Sequence, residues 1–398
     1  MVVTKGFTEC APIEVGYDET RLEALHKHLQ QLMDDKKIQG SSYCISKDGK
    51  VFAHGAVGKL CYRPEDERPM LPTTIHHIAS ETKTFTAIAI MQLIEDGKAR
   101  LTTPVGDILP QFAKKPYNQI NLYHLLTHTS GLWPDDGCFE DGHRKGPWAY
   151  IEELDERFKA GEKDLDWLSE ALTAGFRKEP GEQWQYCSFG FVVLGLVIEK
   201  LSGQFAHDYI MNHIVRPLDM KDTGFDVIKE HAKRFMIRDK RYEEHLNKII
   251  SGEIEEGKEK NHIWDFVPQT GGGLYSTPYD LVRYGNMLLN KGWLGDVRII
   301  GRTSIEKMTT CQLHNIPDYC WNANNKDRRY GIGFDMKQGL DYIYSDQTFY
   351  HEGSGACALV CDPKENMVAS FFVPWVRSED WFGEAIYNTI NVIWSGLI

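Results

Sequence analysis

Serine and lysine stand three residues apart in Ser80-Glu81-Thr82-Lys83, at the start of a strongly apolar stretch. On a helix this spacing places hydroxyl and amine on one face, beside a partly positive helix terminus. A neutral hydroxyl attacks poorly, so acyl chemistry at Ser80 needs a base and a set of donors for the negative charge that develops. Lys83 is one candidate base. The pattern alone is weak, because it recurs at Ser304-Ile305-Glu306-Lys307 and because a serine opening a helix ordinarily reads as an N-cap. Context separates the two occurrences. Ser80 is followed by Phe85, Ala87, Ile88, Ala89, Ile90, Met91, Leu93 and Ile94, interrupted only by Thr86 and Gln92. A helix apolar nearly all round is buried, whereas Glu306 and Lys307 read as a solvated face.

Two further strings bear on Ser80. Tyr186-Cys187-Ser188 precedes the apolar run 191–198, and His351-Glu352-Gly353-Ser354-Gly355 precedes a strand. Alone, Tyr186 reads as a core tyrosine with a satisfied hydroxyl. In this order the strings resemble those of the serine β-lactamase-like and penicillin-recognising hydrolases, in the branch with class C β-lactamases, D-aminopeptidases, D-alanyl-D-alanine carboxypeptidases and related esterases. The resemblance runs from about the first helix to the carboxyl terminus. It includes Leu125-Leu126-Thr127-His128-Thr129-Ser130-Gly131-Leu132, Gly272-Gly273-Leu274-Tyr275-Ser276-Thr277 and Tyr330-Gly331-Ile332-Gly333-Phe334.

The resemblance implies that Ser80 is the acylated nucleophile. Lys83 takes or relays its proton, given burial and neighbouring positive charge to lower the amine pKa. Tyr186 shares that role, as base in attack and as acid towards the leaving group. The backbone N–H groups of Ser80 and Ser354 form the oxyanion hole. Ser188 stands where asparagine is usual, so it is either a substrate contact or a helix cap. His351 and Gly353 belong to a string that replaces the usual Lys-Thr-Gly. Histidine is mostly neutral at pH 7 and anchors a carboxylate less well than lysine, which moves the expected substrate away from β-lactams. Tyr284-Gly285-Asn286 matches the usual Tyr-x-Asn string more closely, but Leu281, Leu288 and Leu289 give it the pattern of a packing helix. The expected function is a serine hydrolase acting through a Ser80 acyl-enzyme on a small ester or amide, of esterase, amidase or D-amino-acid peptidase type. An acyltransferase using the same intermediate is the alternative, with β-lactamase and non-catalytic binding relatives below it.

The elements that position these residues follow from periodicity. Leu22, Leu25, Leu29 and Leu32 predict an amphipathic helix, and 42–46 and 51–54 predict a hairpin around Lys47-Asp48-Gly49-Lys50. Helical patterns dominate from Ser80 to Gly295. Strands are predicted again at 330–336, 356–361 and 367–373, and a last helix from Trp381. The predicted class is α+β: an antiparallel sheet flanked by helices and built from both chain ends (1–75 and 325–398), around a mainly helical region (76–324). Charged insertions are expected near 139–166 and 229–260.

The 398 residues are 42% hydrophobic with a net charge of −12, which suits a large core and disfavours broad nucleic-acid or anionic-membrane binding. No membrane-length apolar run and no signal-like amino terminus are read, and nine cysteines without Cys-x-x-Cys spacing suggest a reduced, cytoplasmic protein. There is no Gly-x-Ser-x-Gly, His-Glu-x-x-His or phosphate-loop string. His124 and His128 have the spacing of a metal pair without its glutamate, so no metal and no cofactor are expected. Trp133, Trp148 and Tyr150 are candidates to wall an acyl pocket or to pack. The oligomeric state is left open.

Overall fold

A computed structural model describes residues 3–139, 145–226, 229–251, 262–336, 339–355, 357–375 and 382–398. The strands are β1 (Thr4–Lys5), β2 (Gly40–Lys47), β3 (Lys50–Gly58), β4 (His76–His77), β5 (Tyr275–Ser276), β6 (Trp293–Leu294), β7 (Val297–Arg298), β8 (Phe349–Gly353), β9 (Cys357–Asp362) and β10 (Met367–Phe372). The helices are α1 (Thr20–Asp34), α2 (Thr82–Glu95), α3 (Leu122–Leu126), α4 (Pro147–Lys159), α5 (Trp167–Leu172), α6 (Ser188–Ser202), α7 (Ala206–Ile210), α8 (Lys240–Ser251), α9 (Pro278–Leu289), α10 (Arg302–Met308) and α11 (Asn388–Trp394).

Six strands form one antiparallel sheet in the order β1-β3-β2-β10-β9-β8, joining the two ends of the chain where Ile45 pairs Ala369 and Tyr43 pairs Phe371. The β2–β3 reversal uses left-handed Asp48 and Gly49 (φ 53° and 75°), as the Asp-Gly signal predicts. Alternation then decides which face each residue serves. Met367, Ala369 and Phe371 join Leu25, Leu29, Leu32 and Ile390 under α1 and α11. Val368 and Phe372 point the other way, into the larger core with Phe85, Leu281 and Tyr284 from α2 and α9. Fully burying each such side chain contributes about 1.5–3 kcal/mol.

The predicted strand at 330–336 is not formed. Gly331 N–H donates to the Phe334 carbonyl at 2.8 Å, closing a tight turn, and Gly333 takes φ 74°. A Cβ on Gly333 would come within 2.4 Å of the Ala87 Cβ, so the alternating apolar residues here serve a turn pressed onto α2. Ala356 and Trp381, the starts expected for the second late strand and the last helix, lie outside the described residues, as do parts of both charged segments. Within the second of these, Ala232, Phe235, Ile237, Leu246 and Ile249 are buried against Cys61 and Ile75. Among the described residues, no single helix is long and apolar enough to cross a membrane.

Candidate active site

The serine lies just ahead of α2, in the 3-10 turn Ala79–Glu81, and its side chain caps neither element. Ala79 before it is held at φ 45°, a left-handed conformation that costs an alanine about 1–2 kcal/mol. Buried threonines then lock α2 against the 270–274 segment. Thr82 Oγ1 accepts from Leu274 N–H at 3.1 Å, and Thr86 Oγ1 donates to the Thr270 carbonyl at 2.7 Å. Between them Lys83, wholly buried, donates to the Gly271 carbonyl at 2.7 Å with its Nζ 3.0 Å from Ser80 Oγ. By contrast, Ser304 of the second serine-lysine pattern, on α10, hydrogen-bonds Glu95 at the end of α2, and Lys307 is exposed.

Burial lowers the Lys83 pKa to about 8, against the opposing influence of Asp135 and Cys187. The expected positive neighbour is therefore replaced by a negative one, and desolvation alone moves the amine towards neutrality. A neutral lysine that donates to Gly271 still has a lone pair for the Ser80 proton.

Tyr186 sits in the connection just before α6. Its hydroxyl is within hydrogen-bonding reach of Ser80, and Lys83 Nζ is 4.9 Å from the ring centroid. Burial, reinforced by the Asp135 charge, pushes the phenol pKa well above its ordinary value, so the resting group is a protonated donor. His128 stacks on the ring at 4.5 Å, its Nδ1 accepting from Cys187 N–H at 3.1 Å. Burial, with Lys83 nearby, keeps that imidazole neutral. His124 instead closes a capping box with Asn121 at the start of α3, so the two histidines have separate partners.

Ser188 opens α6, and both its polar groups are committed to Asp135: N–H to Oδ1 at 2.7 Å and Oγ to Oδ2 at 2.5 Å. Ser188 is thus the first residue of α6 rather than its cap: its side chain caps nothing, and Asp135 supplies the acceptor for its otherwise unpaired N–H. Asp135 was not legible as a site residue, because Pro134-Asp135-Asp136-Gly137 reads as a turn. The carboxylate favours the Lys83 ammonium, so Asp135→Asn lowers the Lys83 pKa below about 8. The rising limb of a kcat/KM profile governed by neutral Lys83 then shifts roughly one unit towards acid, the low end for opposite charges; an unmoved limb rejects the coupling.

At the edge of the sheet, β8 ends on Gly353, where a Cβ would lie 2.3 Å from the Ile78 carbonyl oxygen and 2.3 Å from Cys357 Sγ. Only glycine permits this approach, which brings Ser354 to the segment leading into Ser80. The Ser354 carbonyl accepts from Arg238 at 3.2 Å. His351 is buried, with Nδ1 2.8 Å from the Glu352 carbonyl oxygen. Glu81, next to the nucleophile, is also buried, and burial raises its pKa well above the carboxylate range. Trp148 packs on Phe189 and Trp264, and Tyr284 stacks on Phe85 at 4.1 Å as its helix pattern predicts. Besides His128 and Trp184, an exposed aromatic, Trp321, reaches the Tyr186 ring at 5.4 Å, from a loop with no sequence signal.

The sequence matches the Beta-lactamase family over residues 25–387. The chain belongs to the β-lactamase family. It is 30% identical to Esterase EstB of Burkholderia gladioli over 224 residues, covering 54% of this chain and 53% of that one. The chain spans between about a third and a half of the curated relatives it matches. A family VIII carboxylesterase superposes with a TM-score of 0.70 at 18% identity, covering 99% of this chain and 100% of the other. EstCE1, described as a hydrolase with promiscuous acyltransferase activity, gives 0.69 at 18% identity over 94% and 99%. These likenesses establish a β-lactamase/transpeptidase-like fold, which in this family member is the α+β arrangement expected from the sequence.

Proposed function

We propose that this β-lactamase-family protein is a serine hydrolase that forms an acyl-enzyme on Ser80 and acts on small esters or amides. The observation that carries the reading is the buried Lys83, 3.0 Å from Ser80 Oγ, donating to Gly271, with its pKa lowered by burial to about 8. In this reading Lys83 takes the Ser80 proton as Oγ bonds to the substrate carbonyl carbon. The resulting oxyanion is held by the N–H groups of Ser80 and Ser354. Tyr186 gives its proton to the departing oxygen as the carbon–oxygen bond breaks, and Lys83 reprotonates Tyr186. Water then attacks the acyl-enzyme through the same groups in reverse. The high Tyr186 pKa favours acid and relay over a resting tyrosinate base.

Similarity to EstB and to the family VIII carboxylesterase supports esters as the first substrates to test. Commitment of Ser188 to Asp135 and of His351 Nδ1 to the backbone leaves no lysine or asparagine in the positions usual for β-lactam recognition. Nine unpaired cysteines support a reducing, cytoplasmic compartment.

EstCE1 motivates the second outcome, in which an alcohol replaces water as acceptor. Both outcomes share one intermediate, so a partition experiment tests them together. Several esters of one acid are hydrolysed with methanol added. A common acyl-enzyme predicts the same ratio of methyl ester to free acid whatever alcohol departs. A ratio that varies with the departing alcohol rejects the shared intermediate.

A further inference from the structure

The loop 318–325 carries a feature that the chemistry at Ser80 does not use. Its base is closed by paired bonds between Asp318 and Asn325, at 2.9 and 3.1 Å. Cys320 N–H donates to Asp318 Oδ1 at 2.9 Å, and the buried Arg328 lies 3.4 Å from the Asp318 carboxylate. Trp321 N–H donates to the Cys138 carbonyl at 2.8 Å, tying the tip to the loop that also carries Asp135. A loop so fastened is a fixed platform.

On it Trp321 and Asn322 both take left-handed backbone, φ 52° and 61°. Asparagine tolerates this region, but for a bulky tryptophan it is an outlier that neighbouring structure must impose. The strain does not serve burial, since Trp321 is 53% exposed. It places the indole 5.4 Å from the Tyr186 ring, at an interplanar angle of 51°. The Tyr186 ring meanwhile has His128 stacked on it and Lys83 Nζ within 4.9 Å. An exposed indole fixed beside a reactive centre is an apolar, flat binding surface.

We propose that Trp321 is a specificity-determining residue that binds the departing alcohol of the substrate, and that the preferred substrates are esters of alcohols bearing an aromatic ring. This rests on the acyl-enzyme reading above. There Tyr186 protonates the departing oxygen, so the alcohol lies over Tyr186, and a ring one or two bonds beyond that oxygen meets Trp321. The acyl group is bonded to Ser80, with its carbonyl oxygen turned to the Ser80 and Ser354 N–H groups, and does not need this surface.

Benzyl acetate and ethyl acetate test the assignment, because both give the same acetyl-enzyme and differ only in the alcohol. The readout is the ratio of their kcat/KM values. Wild type is expected to favour benzyl acetate at least tenfold. Trp321→Asn, which suits the left-handed backbone and removes the indole, lowers that ratio at least fivefold, and Trp321→Phe recovers most of it. A ratio within twofold of wild type in Trp321→Asn overturns the proposal. So does a loss that follows the acid instead, read from ethyl phenylacetate against ethyl acetate. In either case acetyl-enzyme on Ser80 leaves the hydrolase reading standing. Failure of either acetate to acetylate wild-type Ser80 overturns that reading, and the alcohol site falls with it.

Discussion

Replacing Ser80 by alanine lowers kcat/KM for an ester by at least roughly 10⁴-fold, the scale seen when a nucleophile is removed from an acyl-transfer site. The substitution deletes one oxygen and little else. Ser80 Oγ caps no helix, and Lys83 keeps its bond to the Gly271 carbonyl without it. Ala79 retains its imposed left-handed conformation, because the bonds from Thr82 and Thr86 to the 270–274 segment are untouched. The variant should therefore melt within a few degrees of wild type while losing turnover. Activity retained within tenfold would place the nucleophile elsewhere.

Lys83→Met is the second large effect. Methionine approximates the length of lysine and suits a wholly buried position, but it offers no lone pair to Ser80. Loss of the base is expected to lower kcat/KM by roughly 10³–10⁴-fold, at the upper end for general base catalysis. The pH profile gives a second readout. Neutral Lys83 is the reactive form, so wild-type kcat/KM rises with pH through about 8, and this limb disappears in Lys83→Met. The substitution acts on stability in the opposite sense from activity. Because the folded pKa is depressed, the unfolded chain binds the lysine proton more tightly, and wild type gains stability as pH rises from about 8 towards the unfolded value. Below about 8 it carries a buried charge that methionine lacks. The variant should accordingly melt no lower than wild type at pH 7, with its relative advantage falling above pH 8.

The residues with fixed spacing were legible in the sequence and those held by loops were not. Ser80 and Lys83 lie one helical turn apart before an apolar run and Tyr186 precedes another, but alone they read as a cap and a core tyrosine; the resemblance carried by the order of the strings singled out all three. The structure brings them together. The sheet built from both chain ends was readable from its alternation, since the apolar residues of β2 and β10 alternate between two cores. Asp135 was hidden because a turn aspartate looks alike whether it faces water or a buried lysine. Trp321 was hidden because its position depends on backbone strain and on the bond to Cys138 across 183 residues of sequence. The 330–336 segment shows the converse failure: alternation that suits a strand was spent on a glycine turn against α2. Ser188 was left open between cap and substrate contact; it is not a cap, and its tie to Asp135 was hidden with Asp135 itself.

The most direct measurement is intact-mass analysis of wild type mixed rapidly with an acetate ester and quenched in acid, followed by peptide mapping. A single acetyl group should appear on the peptide containing Ser80 no more slowly than turnover and decay as substrate is exhausted, with none in Ser80→Ala. Turnover without this adduct, or an acetyl group that maps to another residue on the same timescale, would contradict catalysis through a Ser80 acyl-enzyme.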